Sequence, residues 1–328
     1  MKIRILCGIA ALSLISSVRA QSLCVFDLSG AGGDIYSAMQ DYSLAAKAWG
    51  VDINLKPFTD EALAVKEFKK GKCDAVAISG IRAREFNNFT GSIDAVGGLT
   101  DSASAKIALT LMANPKLAPE MVKGNYEVVG ITTLGTLYLM TRDRSINSMQ
   151  KMAGKTLGIL DYDKADFALI DKIGAIPVGM DLASFGTKFN SGKVDIAPLL
   201  PLMFKPFELY KGLGTQGAII RFPVLQFTGD IIIHQDKFPY GYGQKSRTWF
   251  GGKVDQQVNT AKKLEAGIPA NYWEDIPELD KLAYTRVLRE ARLSLTRDGI
   301  LDKKMMGILK RVRCRQNPTN SECKLTDE

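Results

Sequence analysis

Residue types able to do covalent or metal chemistry are sparse in this 328-residue chain. His234 is the only histidine and sits in an apolar run, and neither a G-x-S-x-G elbow nor an H-E-x-x-H helix occurs. The carboxylates Asp161 and Asp163 are two residues apart, a spacing that suits a loop or helix cap better than an acid/base pair. No Cys/His cluster has metal-ligand spacing. The turn Gly30-Ala31-Gly32-Gly33, with Asp52 downstream, invites a dinucleotide reading, but Ile35 stands where the last glycine belongs. What remains is recognition chemistry. Arg82 and Arg142 could each hold a carboxylate through two parallel hydrogen bonds. The turn at Ser29 leads into a helix N-terminus whose free amides favour an anion. The expectation is non-covalent binding of a small solute, with no catalytic residue, cofactor or metal.

Those residues need a scaffold, and its pattern is regular. A strand over 22–28, a helix with apolar residues Ile35, Met39, Tyr42 and Ala46, a strand over 51–55, a helix over 59–70 and a strand over 73–78 form a βαβαβ run. Such a run implies a parallel sheet covered by helices. The junction Phe68-Lys69-Lys70-Gly71-Lys72-Cys73-Asp74 recurs 121 positions on as Phe189-Asn190-Ser191-Gly192-Lys193-Val194-Asp195. Each copy ends a helix and opens an apolar strand, and two such units in one chain imply two lobes. Residues 126–141, interrupted by Gly130 and Gly135, and residues 226–234 read as the two crossings between them, with the glycines as points of flexure. From about Lys245 the chain reads as helical, with apolar faces over 279–294 and 301–313.

The first twenty residues read as an export signal: Lys2 and Arg4, an apolar run from Ile5 to Ile15, then Val18 and Ala20 as the small residues of a cleavage site after Ala20. That run is shorter than the roughly 20 residues a span requires, so the mature chain is expected in the periplasm. Its charge falls from +8 to about +5 once Lys2, Arg4 and Arg19 leave. The basic cluster Arg311, Arg313 and Arg315 suits a solvated helix end better than a nucleic-acid face. Four cysteines remain, and in an oxidising compartment they are expected to pair as Cys24 with Cys73 and Cys314 with Cys323; free buried thiols are the alternative. Aromatic residues around Phe238 to Tyr242 and at Asn271-Tyr272-Trp273 suit packing between helices, or a partner or lipophilic ligand.

Gly174-Ala175-Ile176-Pro177, followed by a helix ending Gly192-Lys193-Val194-Asp195, resembles the second-lobe pattern of TRAP-type (DctP-like) extracytoplasmic solute receptors, and Gly154-Lys155-Thr156-Leu157-Gly158 falls where that family has its G-x-K-x-R strand. The resemblance implies a two-lobed periplasmic-binding-protein fold of the α/β class, two Rossmann-like lobes joined by crossing strands, with a helical C-terminal region. Lobe I is expected over 21–135 plus 230–328 and lobe II over 136–229. Ligand then meets protein at the carboxyl ends of the strands. The expected contacts are Ser29, Gly30, Asp34, Ser79, Gly80 and Arg82 in the first lobe and Asp161, Tyr162, Pro198, Leu199, Leu200 and Phe204 in the second. The crossings add Thr132, Thr133, Arg142 and Gln226. The family's carboxylate-clamping arginine would fall near Leu157, where this chain has none, leaving Arg82 and Arg142 as substitutes. The implied function is capture of a small solute, an organic anion among the possibilities, by a monomer that delivers it to an integral-membrane permease. Some proteins of this outlying branch are labelled as efflux components, so an accessory role in a pump assembly is the rival reading.

Overall fold

The computed structural model describes residues 20–328, so the expected export segment lies, apart from Ala20, outside the described residues. The first lobe opens β1 (Gln21–Phe26), α1 (Asp34–Lys47), β2 (Ile53–Phe58), α2 (Glu61–Lys69) and β3 (Ala75–Ser79). β1 lies between β2 and β3, parallel to both, as the βαβαβ pattern requires. Short helices α3 (Gly80–Ala83) and α4 (Asn88–Gly91) precede α5 (Ser102–Met112), the short strand β4 (Val122–Lys123) and the long β5 (Tyr126–Thr141). The second unit comprises α6 (Met149–Met152), β6 (Thr156–Leu160), α7 (Lys164–Ile173), β7 (Ile176–Met180), α8 (Phe185–Asn190), β8 (Ile196–Leu199) and α9 (Tyr210–Leu213). The chain returns through β9 (Ala218–His234) and ends with α10 (Tyr242–Ala266), the short β10 (Trp273–Glu274), α11 (Glu278–Arg297) and α12 (Lys303–Gln316).

The repeated junction is a duplication at atomic level. Gly71 and Gly192 both take a left-handed φ, at 68° and 76°, which lets the helix end turn into a strand. Phe68 and Phe189 are both fully buried. Asp74 Oδ2 accepts the Ser22 backbone amide at 2.7 Å and the Ser22 hydroxyl at 2.8 Å. Asp195 Oδ2 accepts the same two groups of Thr156 at 2.9 and 2.8 Å. In each unit one aspartate pins the start of the first strand to that of the third.

The strands run β2-β1-β3-β9-β5-β8-β6-β7 in one continuous sheet. β3 pairs with β9 as far as Ser79 opposite Gly229, and β8 joins β5 only from Leu199 opposite Tyr138. Between these limits, Thr133 to Leu137 face Thr228 to Leu225 with no third strand beside them among the described residues. The sheet therefore has a neck two strands wide, with register shifts at Thr133/Gly135 and Leu137/Leu139. Gly135 sits in the neck at φ 113°. Gly130 has another duty: a Cβ there would come within 2.2 Å of the Phe250 ring, so its role is close approach of α10 and not flexure.

β9 begins at Ala218, earlier than the expected crossing, and Pro223 masks its first half in the sequence. Pro223 lies within the irregular stretch between Ile220 and Leu225, where its missing N–H removes no ladder bond. The C-terminal helices do not all side with the first lobe. α12 packs on α5, whereas β10 pairs with Ile219 and Ile220, and α11 packs on α7 and places Tyr284 in the core of the second unit. Tyr272 and Trp273 are core-facing, edge-on to Phe204 and Tyr138 respectively, and Phe238 packs on Tyr242. His234 stacks on Phe68 and Tyr126 and bonds the Phe68 carbonyl at 3.0 Å, a structural role. Both expected disulfides are present, Cys24–Cys73 joining β1 to the approach of β3 and Cys314–Cys323 closing a C-terminal loop.

Candidate ligand-binding cleft

Beside the neck, an apolar cavity of about 50 Å³ lies between the lobes. Phe26, Leu28, Ile35 and Met39 come from the first lobe, Leu182, Leu200, Leu202 and Met203 from the second, and Thr132, Leu134 and Phe227 from the crossings. The strands that end here explain the placement: carboxyl ends of β1 and β3 meet the loop after β8, as in other open α/β sheets. Of the expected contacts, Ser79, Thr132 and Leu200 line this cavity, with Asp230 beside them.

The remaining expected contacts are placed elsewhere. Ser29, Gly30 and Asp34 belong to the first turn, but its apolar flanks Leu28 and Ile35 form the wall instead. Asp27 organises that turn, its Oδ1 accepting the Ser29 amide at 2.8 Å and its Oδ2 the Tyr36 amide at 3.0 Å. Gly33 is required because a Cβ would meet the Asp27 carboxylate at 1.9 Å. This accounts for Gly33 without a nucleotide. Gly80 backs onto Thr228 and Asp94. Adjacent strand residues face opposite ways, and Thr133 joins Gln226, Thr136 and Glu265 around a small polar recess, where Gln226 Nε2 donates to the Thr136 hydroxyl at 3.0 Å. Arg142 is no clamp, since its guanidinium donates to the Phe189 carbonyl at 2.9 Å at the end of α8. Asp161 is exposed, and Leu199 is fully buried in the core. Pro198 lines a second apolar cavity, of about 70 Å³, walled by Ile81 and Val96 from the first lobe, Leu137 and Phe227 from the crossings and Leu160 and Leu169 from the second lobe, and Phe204 is buried against Tyr272.

Arg82 and Tyr162 do meet, but through a residue not anticipated, Glu61. Glu61 is the first residue of α2, buried, and its Oε1 accepts the Ser79 amide at 2.7 Å. Its Oε2 accepts the Tyr162 hydroxyl at 3.0 Å and faces Arg82 Nε at 3.5 Å. The Arg82 guanidinium lies flat over the Tyr162 ring, 3.2 Å from its centre. Burial first, and the Glu61 charge second, hold the Tyr162 hydroxyl well above its ordinary pKa, so it stays a donor. A second contact across the cleft joins Arg84 Nη1 to Asp163 Oδ1 at 2.9 Å, while Asp163 also caps α7. These links hold the lobes against one another.

Under the other face of the neck, Asp94 accepts the Thr228 hydroxyl at 2.7 Å and its amide at 3.2 Å. Asp230, which also borders the cavity, is equally buried; its Oδ1 faces the Thr228 hydroxyl, and its Oδ2 has no hydrogen-bond partner among the described residues. Burial pushes Asp94 up to about 7, and burial with the Asp94 charge pushes Asp230 up to about 8. Among the described residues no group of acidic, His and Cys side chains could hold a metal ion, and no helix is long and apolar enough to cross a membrane.

The model of the family described as solute-binding protein AdeT 1/2 matches residues 39–328. The chain belongs to that family. Among AdeT 1/2 relatives, the probable solute-binding protein AdeT1 of Acinetobacter baumannii is 48% identical over 304 residues, covering 93% of this chain and all of the relative. The probable solute-binding protein AdeT2 of the same organism is 29% identical over 236 residues, 72% of this chain and 99% of the relative. The two-lobed architecture of this AdeT 1/2 protein is that of TRAP periplasmic solute-binding proteins. One from Haemophilus influenzae, solved with bound L-gulonate, superposes with a TM-score of 0.74 at 14% identity over 89% of this chain and 99% of that one. Another, from Desulfovibrio salexigens with bound orotic acid, gives 0.73 at 12% identity, covering 90% and 99%.

Proposed function

We propose that this AdeT 1/2 protein is a periplasmic solute receptor, exported by its first twenty residues with cleavage after Ala20. Lobe I (21–135 plus 230–328, with α11 reaching across onto the other lobe) and lobe II (136–229) would close on a small solute about the neck, and the monomer would deliver it to an integral-membrane permease without chemical change. The observation that carries this reading is the cavity walled by both lobes and both crossings, beside a neck two strands wide. Closure about a few backbone positions, driven by contacts made only in the closed form, is the ordinary physics of such an arrangement. Roughly 150 Å³ of cavity is needed to hold a benzene-sized molecule, so solute entry at this site requires the lobes to part.

The test pairs native mass spectrometry with solution scattering on protein purified from periplasm without denaturation. A bound species lost on denaturation, with a radius of gyration that rises when it is removed, is the expected result. An unchanged radius with and without solute would refute hinge capture.

A further inference from the structure

We infer that the solute held in this cleft is uncharged and mainly apolar, with at most one polar end directed at the Ser79 and Thr132 hydroxyls. This rests on the receptor reading above and narrows it. The wall is built from side chains such as Phe26, Leu28, Ile35, Leu182, Leu202 and Met203; among the described residues none of those lining it is Lys, Arg or His, and its one acid, Asp230, has its carboxyl beside Thr228, the partner of Asp94. A carboxylate placed there would lose its hydration with no cation to replace it, a cost of several kcal/mol in such surroundings.

Both anion-binding features near the cavity are already occupied by the protein's own carboxylates. The turn before α1 presents the Ser29 and Tyr36 amides, and both donate to Asp27, at 2.8 and 3.0 Å. The end of β3 presents the Ser79 amide and the Arg82 guanidinium, and both are engaged by Glu61, at 2.7 and 3.5 Å. Asp27 and Glu61 are buried, at 4% and 5% exposure, so neither is readily displaced. An incoming anion therefore meets resident negative charge at each place where it would seek a donor. The Tyr162 ring covers the Arg82 guanidinium from the second lobe and completes its sequestration.

The probes are three molecules sharing one ring, benzyl alcohol, benzoate and benzylamine, titrated calorimetrically into the full-length mature protein at pH 7.5. The alcohol is expected to bind at least about tenfold more tightly than either ion, since an unpaired charge in this wall costs more than the roughly 1.4 kcal/mol that a factor of ten represents. Leu134 is half-buried on a crossing strand and lines the cavity. Leu134→Asp should weaken alcohol binding by about tenfold or more. Glu61→Ala, which frees the Ser79 amide and Arg82, should raise benzoate affinity by about tenfold, a gain that a purely structural Glu61 would not produce. Benzoate or benzylamine binding as tightly as the alcohol, or Glu61→Ala gaining nothing for benzoate, overturns the inference. In either case the receptor reading stands if the radius of gyration still falls on binding. If none of the three probes binds, the charge of the solute retained by native purification decides: an uncharged one upholds the inference and a charged one overturns it. No bound probe and no retained solute would overturn both readings.

Discussion

The Tyr162 hydroxyl, from the second lobe, donates to Glu61 Oε2, from the first, at 3.0 Å. The same carboxylate holds the Ser79 amide through its other oxygen, so one buried acid ties the end of β3 to the facing lobe. A hydrogen bond to a charged partner is worth about 1.5–3 kcal/mol. Tyr162→Phe keeps the ring over Arg82 and removes only that bond. Solution scattering should show the ligand-free ensemble shifted toward open forms, by about tenfold in the open-to-closed ratio for 1.4 kcal/mol, with little change in melting temperature. An unchanged scattering profile would mean that the contact does not hold the lobes.

Gly135 lies in the neck at φ 113°, a conformation that L side chains rarely adopt. A Cβ there would find ordinary contact with Ala261 at 3.5 Å, so the cost of Gly135→Ala is backbone strain and not a clash. We expect a loss of about 1–2 kcal/mol in denaturant unfolding. Gly130→Ala should cost more by driving Phe250 aside, although its backbone is unstrained.

Asp94 and Asp230 give stability a definite pH slope. Their folded pKa values, about 7 and 8, lie above the value near 3.8 expected when unfolded, so the folded state holds more protons in between. Their contribution is fully present below the unfolded value and is lost as pH rises through the folded ones. Chemical denaturation should therefore show stability falling by roughly 2 kcal/mol or more between pH 5 and 8. Asp230→Asn removes one of the two titrating groups and should flatten that slope. A slope unaltered in the variant would place the effect elsewhere.

Arg292 and Arg313, at 1% and 3% exposure, share Glu322 and Glu328 in a buried network that ties α11 and α12 to the last residues. Arg292 also donates to the Val96 carbonyl and Arg313 to that of Gly98. Removing one partner of a buried ion pair costs about 3–5 kcal/mol because the other charge stays buried. Glu328→Ala should lower stability toward that range, and Glu322→Ala should do the same. Replacement of an exposed pairing residue such as Asp255, which meets Lys106 at the surface, should change stability by less than about 1 kcal/mol.

The scaffold was legible where local pattern and local chemistry agree. Gly71 and Gly192, with Asp74 and Asp195, mark the same helix-to-strand junction in sequence and in space, because a left-handed glycine and a strand-pinning carboxylate act on near neighbours. The Cys24–Cys73 pair was legible because β1 and β3 are parallel neighbours, although Val76 and not Cys73 lies opposite Cys24, and the Cys314–Cys323 pair because only 9 positions separate its cysteines. The site was much less so. The polar residues after strand ends are not the wall: Leu28, Ile35, Leu182 and Met203 are, and their convergence depends on how two lobes meet. Glu61 looked like an ordinary first-turn helical acid, and Asp27 like part of a strand, since nothing nearby reveals that they fill donors elsewhere. Thr132 and Thr133 were treated together, though strand alternation sends them to opposite faces. Arg142 shows the same limit: its partners are carbonyls 47 and 48 positions away.

The narrow neck also bears on how the molecule melts. One hydrogen-bonded sheet runs unbroken from β2 to β7, and α11 reaches past the neck to seal the second half with Tyr284. Neither half owns a complete set of strands, because β5 and β9 each donate one end to either side. Cutting the chain between the lobes would strand half-ladders of unpaired amides on both fragments. Two lobes proposed to close about the neck are thus expected to form a single cooperative unit in denaturation, and heating should reveal one transition where the outline of the protein suggests two.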